Sequence, residues 1–163
     1  MRRAAGAVAA AVLVLTLGVG STVGASVASR SVGAAVKAAS RAQSPFRDLT
    51  ATTVHVGGKA LQVVIAKTEA QRQRGLRQRS NIGRYDGMLF VFAGATNVGF
   101  TMSTVPVSLD IGFYRSDGRL VDTLRMAPCA GTVATCPVYR ARTSFRYTLE
   151  TLAGGLPPGN LAG

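Results

Sequence analysis

The chain has 163 residues, 47% of them hydrophobic, with 19 Lys and Arg against 7 Asp and Glu, a net charge of +12. That length holds one domain plus a leader, and the apolar fraction suffices for a globular core, which excludes a wholly disordered chain. A basic surface attracts an anionic small molecule, an envelope polymer, nucleic acid or a membrane surface, or it simply keeps an exported protein dissolved.

Met1-Arg2-Arg3 is a basic start, and Ala4 to Val19 carries no charge. Val23-Gly24-Ala25 and Ser26-Val27-Ala28 each fit a small-x-small cleavage signal, so residues 1–28 read as a secretory signal peptide. The expected location is outside the cytoplasm, secreted or held at the cell envelope. The alternative is an uncleaved N-terminal membrane anchor, because the uncharged stretch runs on to Ser29. In that case the leader is the only expected membrane contact. Residues 29–50, rich in Ala, Ser and Arg without an apolar period, are expected to be a flexible tether. Residues 51–163 are then the domain.

Thr52 to Val56 and Leu61 to Ala66 alternate as strands around Gly57-Gly58, a two-residue hairpin signal. Thr68-Glu69-Ala70-Gln71 is a capping box and predicts a helix from Glu69 to about Arg74, ended by Gly75. Arg72, Arg74, Arg77, Arg79 and Arg84 make this the most basic stretch. Tyr85 is the sole aromatic beside them, so specific nucleic-acid binding is not expected.

Met88 to Phe92 is a short apolar run of buried-strand type, and Val98 to Met102 is expected to form another strand. Leu109 to Arg115 and Leu120 to Leu124 read as a hairpin closed at Ser116-Asp117-Gly118. Within it Leu109, Ile111 and Phe113 share one face and Asp110 falls on the other, where a two-layer fold can enclose it. An enclosed carboxylate needs a cation, and Arg74 and Arg79 are the candidates. Cys129 and Cys136, close together in a Pro-flanked loop of an exported chain, are expected to form a disulfide. Phe145 to Glu150 gives the last strand, before a Gly/Pro-rich tail.

Arg74-Gly75-Leu76, Arg79, Asp86-Gly87-Met88-Leu89-Phe90, Phe100, Met102, Pro106-Val107-Ser108-Leu109-Asp110, Asp117-Gly118 and Leu149-Glu150 form an ordered series. The series resembles the DUF192 family, small domains of unknown function. The family's usual Phe-Trp-Met-Lys-Asn-Thr run is Phe100-Thr101-Met102-Ser103-Thr104-Val105 here, so its Trp, Lys and Asn are absent. The resemblance implies a mainly β fold, a compact antiparallel sandwich or distorted barrel with one short helix, which the strand pattern reaches independently.

No residue is nominated as catalytic. His55 is the sole histidine and has no evident nucleophile partner, so Ser103, Thr104 and Ser108 stand without a base. Met88, Met102 and Met126 sit among strand apolars and read as core rather than copper ligands. No metal and no cofactor is expected. The leading reading is a non-enzymatic, exported ligand- or envelope-binding module, with Arg74, Arg79 and Asp110 as its ligand-binding residues. The alternative is an enzyme acting on an anionic or envelope-polymer substrate through a pocket containing Asp110 and arginines.

Overall fold

A computed structural model describes residues 30–163. The leader expected over residues 1–28, with its cleavage signals, lies outside the described residues. The stretch after it is not a tether. Ser31 caps helix α1 (Val32–Lys37), its hydroxyl accepting from Ala34 N at 3.2 Å, and β1 (Ser40–Arg41) follows. Val32, Ala35, Ala42, Phe46 and Leu49 are all buried. The sequence hides this because the segment serves two cores: Val32 packs on one face of the main sheet, and Ala42, Phe46 and Leu49 on the other. Its apolar residues therefore follow no single period.

β2 (Thr50–Val56) and β3 (Lys59–Ala66) form the expected hairpin, with φ of +55° at Gly57 and +87° at Gly58. Positive φ at both central positions is what a tight two-residue turn with the right twist demands. β3 then pairs in parallel with β4 (Gly87–Thr96). A parallel pair needs a crossover, and the connection carries α2 (Glu69–Arg74). β5 (Phe100–Thr101) is shorter than expected because it leaves the main sheet and pairs with β8 (Val138–Tyr139). β6 (Leu109–Tyr114) and β7 (Leu120–Met126) make the second hairpin, with Gly118 at φ +83°. β9 (Phe145–Leu152) inserts between β4 and β6, and β10 (Leu161–Ala162) pairs with the end of β2.

The main sheet runs β1-β2-β3-β4-β9-β6-β7. It is mainly β, as expected, but it stays open rather than closing into a barrel. The described residues hold two short helices, not one. Met88, Phe90, Ile111 and Phe113 build the core on the first face, covered by Leu76, Met102 and Val105. Val63, Leu89, Tyr147 and Leu149 build the core on the second face, covered by Val32 of α1 and Leu161 of β10.

Candidate functional site

The capping box forms as its sequence dictates. Thr68 Oγ1 accepts from Gln71 N at 3.2 Å, and Gln71 Oε1 accepts from Thr68 N at 3.0 Å. Gly75 ends α2 at φ +47°, a conformation that disfavours any side chain. This turn brings Arg72, Arg74 and Arg77 to the edge of a pocket of about 510 Å³ on the first face of the sheet. A volume of that order suits a small organic molecule.

The far wall of the pocket is β5 and the residues after it. Phe100 is the keystone, edge-on to Phe90 at 5.4 Å and to Phe113 at 5.8 Å. The Cys129–Cys136 loop supplies the lip. The two cysteines are bonded as expected, with Cα atoms 6.0 Å apart. Ser103 Oγ donates to Gly131 O at 2.9 Å and Thr104 N donates to Cys129 O at 2.9 Å, which stitches the loop onto the pocket wall. Val133 from this loop and Val98 from the β4–β5 connection both line the mouth, and they are among the exposed large hydrophobics of the described residues.

Glu150 lines the pocket from the sheet. On β9 it stands between Met88 of β4 and Ile111 of β6, so its side chain falls on the first face among apolar neighbours. It is only 6% exposed. Burial pushes its carboxyl from an ordinary 4.5 up to about 8, with no hydrogen bond or charge acting the other way. At neutral pH the pocket therefore contains a neutral carboxylic acid without a hydrogen-bond partner among the described residues.

The arginines of the pocket do not pair with that acid. Arg72 Nη1 donates to Lys67 O at 2.6 Å and to Val91 O at 3.1 Å, and its guanidinium lies 4.9 Å over the Phe92 ring. Arg74 is paired with Asp48. Arg77, half-buried, makes no side-chain ion pair or hydrogen bond among the described residues.

The residues expected to share one site are not brought together. Asp110 lies on the second face, where Arg125 supplies its ion pair and Gly154 N donates to it at 2.6 Å. The expected pairing of Asp110 with Arg74 and Arg79 is corrected: Asp110 stands directly opposite Arg125 in the β6–β7 register. Arg79 instead stacks over Phe46 at 4.7 Å. Of the three, Arg74 alone lines the pocket. Met88, Met102 and Met126 are all buried in the first core. His55 sits half-exposed on β2 between Ala60 and Ala162, away from the pocket.

Glu150 was visible in the sequence only as the end of an apolar strand. Phe145, Tyr147 and Leu149 alternate with Arg146, Thr148 and Glu150, the pattern of a strand with one buried face, so the run itself does not mark Glu150 as buried. What the strand's own residues do not reveal is that β9 is central, flanked on both sides.

A model of the DUF192 family, described as "Uncharacterized ACR", matches residues 52–158. Among solved structures, the chain is similar to a protein of unknown function from Novosphingobium aromaticivorans DSM 12444. The two are 26% identical with a TM-score of 0.63, over 78% of this chain and 95% of that one. It is also similar to a putative transcription regulator from Sinorhizobium meliloti 1021, 27% identical with a TM-score of 0.56, over 67% of this chain and 88% of that one. No curated protein matches.

Proposed function

The chain belongs to the DUF192 family, and from that premise we propose that it is a non-enzymatic, exported module that binds a small molecule in the Glu150 pocket. The carrying observation is Glu150 itself, a carboxyl 6% exposed with no partner, lining a pocket of about 510 Å³. A desolvated carboxyl that lines a pocket can be hydrogen-bonded by a ligand or accommodate one in its neutral form. The leader supports the location outside the cytoplasm, and the disulfide accords with it.

A second reading rests on the same residue. A carboxyl held neutral near pH 7 is also how general acids are built. It draws less support, because the pocket brings no nucleophile–base pair to Glu150 among the described residues. A nucleic-acid reading, suggested by the name of the Sinorhizobium neighbour, draws less again. Arg72, Arg74 and Arg79 are engaged by Val91 O, Asp48 and Phe46.

The test is native mass spectrometry of the protein recovered from outside its host cells, beside a Thr96→Trp variant that fills the pocket wall. A bound small molecule in the first and its loss in the second are expected. Equal and empty spectra from both, with neither binding any member of a small-molecule library, would remove the reading. N-terminal mass of the same material tests export: a start after Ala25 or Ala28 is expected, and intact Met1 would leave the anchor.

A further inference from the structure

The pocket has two ends of different chemistry, and this names its ligand. We infer that it binds an amphipathic anion, a free organic acid whose apolar body lies against Phe90, Phe100 and Met102 and whose charged head meets Arg77 at the mouth. This rests on the small-molecule reading above and deepens it.

Every other charged side chain lining the pocket is already engaged. Glu69 accepts from Gln73 Nε2 at 3.0 Å, Arg72 holds two backbone carbonyls, and Arg74 holds Asp48. Arg77 is the charge left over. An anionic head completes it with charge-assisted hydrogen bonds, which arginine makes well to carboxylate, sulfonate or phosphate. A cationic ligand would meet Arg72 and Arg77 against the single carboxylate of Glu69, with Arg74 already paired to Asp48. Val98 and Val133, 44% and 50% exposed, present apolar surface beside these cations, which suits the junction between a charged head and an apolar body.

The inner end decides what kind of body enters. Glu150 stands among apolar side chains and is neutral at pH 7. Its sheet neighbours are Met88 and Ile111, and β5 presents Phe100 and Thr101, so the charged groups facing the pocket are Glu69, Arg72, Arg74 and Arg77 alone among the described residues. A neutral acid tolerates an apolar body. An ionised one draws water into the pocket and expels it. Binding of a ligand with fixed charge is therefore expected to weaken as pH rises through about 8.

The probe is octane-1-sulfonate, whose charge does not change across the pH range, titrated calorimetrically into the full chain beside octan-1-ol and octyltrimethylammonium. The sulfonate is expected to bind most tightly at pH 7. Arg77→Ala is expected to weaken it about tenfold or more while changing octan-1-ol less than about twofold, since a charge-assisted contact is lost and the apolar one kept. Glu150→Gln is expected to abolish the decline of sulfonate binding toward pH 9.5, read within that variant as the ratio of its affinities at pH 7 and pH 9.5. Equal binding of sulfonate and alcohol, or an Arg77→Ala variant that binds sulfonate as the wild type does, overturns this inference and leaves the small-molecule reading standing. Failure of all three probes and of the ligand search above removes both. A final arm separates a free acid from a membrane lipid. Co-sedimentation with phosphatidylglycerol vesicles that depends on Arg77, with no octane-1-sulfonate binding, overturns the free-acid source.

Discussion

Asp110 and Glu150 sit on adjacent strands, β6 and β9, and their side chains fall on opposite faces of one sheet. Each is a carboxyl largely withdrawn from water, yet their surroundings answer the problem of charge in opposite ways. Asp110 receives compensation from Arg125 and the Gly154 amide. Glu150 gives up its charge because nothing supplies any. The compensated acid is architecture: it ties β7 and the turn after β9 to β6. The uncompensated acid holds nothing in place, which is why it is the better marker of a binding site.

The comparison is broken or sharpened by three substitutions. The largest effect is expected from Glu150→Gln. Below about 4.5 the carboxyl is protonated in both folded and unfolded chains, so no cost of burying its charge arises. Between 4.5 and about 8 the unfolded chain loses the proton while the folded chain keeps it, so wild-type stability falls as pH rises through this window. Above it the full penalty is present. Glu150→Gln should remove this fall and raise stability at pH 8–9 by roughly 2–4 kcal/mol. Urea melts of both proteins from pH 4 to 9 check it, and parallel curves would show that Glu150 is compensated after all.

Asp110→Ala is expected to act in the opposite direction, lowering stability by about 1–2 kcal/mol at neutral pH through the loss of its charge-assisted hydrogen bonds. The Asp110 side chain is 14% exposed but Arg125 is 61% exposed, so the arginine left behind is rehydrated rather than stranded. Urea melts at pH 7 measure the difference. A loss above about 4 kcal/mol would mean that Arg125 is enclosed in solution. The smallest effect is expected from Arg125→Ala, within about 0.5 kcal/mol, because an exposed cation contributes little and the Gly154 amide still serves Asp110. Together the pair tells whether the backbone amide or the arginine is the main compensation.

Much of the fold was legible because its signals are local. Gly57-Gly58, the Thr68–Gln71 box and the turn at Gly118 each act within a few residues, and each forms where the sequence puts it. β10 was not legible because its partner is distant: it pairs with Val56 and His55 from the other end of the domain. α1 and β1 were not legible because their segment packs on both faces of the sheet and follows no single apolar period. The site was less legible. The hairpin turn pairs Tyr114 with Leu120, which alone would set Leu124 opposite Asp110; a bulge between Phe113 and Tyr114 shifts the register so that Arg125 stands there instead. Arg74 and Arg79 carried the family resemblance but not the geometry. Glu150 becomes a site only when β9 is placed between β4 and β6, and no pattern within residues 145–152 fixes that placement.

The two ends of the described fold meet. Gly163 N donates to Arg30 O at 2.7 Å, and Leu161 packs with Val32 in the second core. Both ends therefore leave from the side of the sheet that Glu150 does not face. This gives the molecule a front and a back. A surface that holds the chain at residue 30, or a fusion partner joined at residue 163, attaches to the back, and the arginine-edged mouth is left pointing outward.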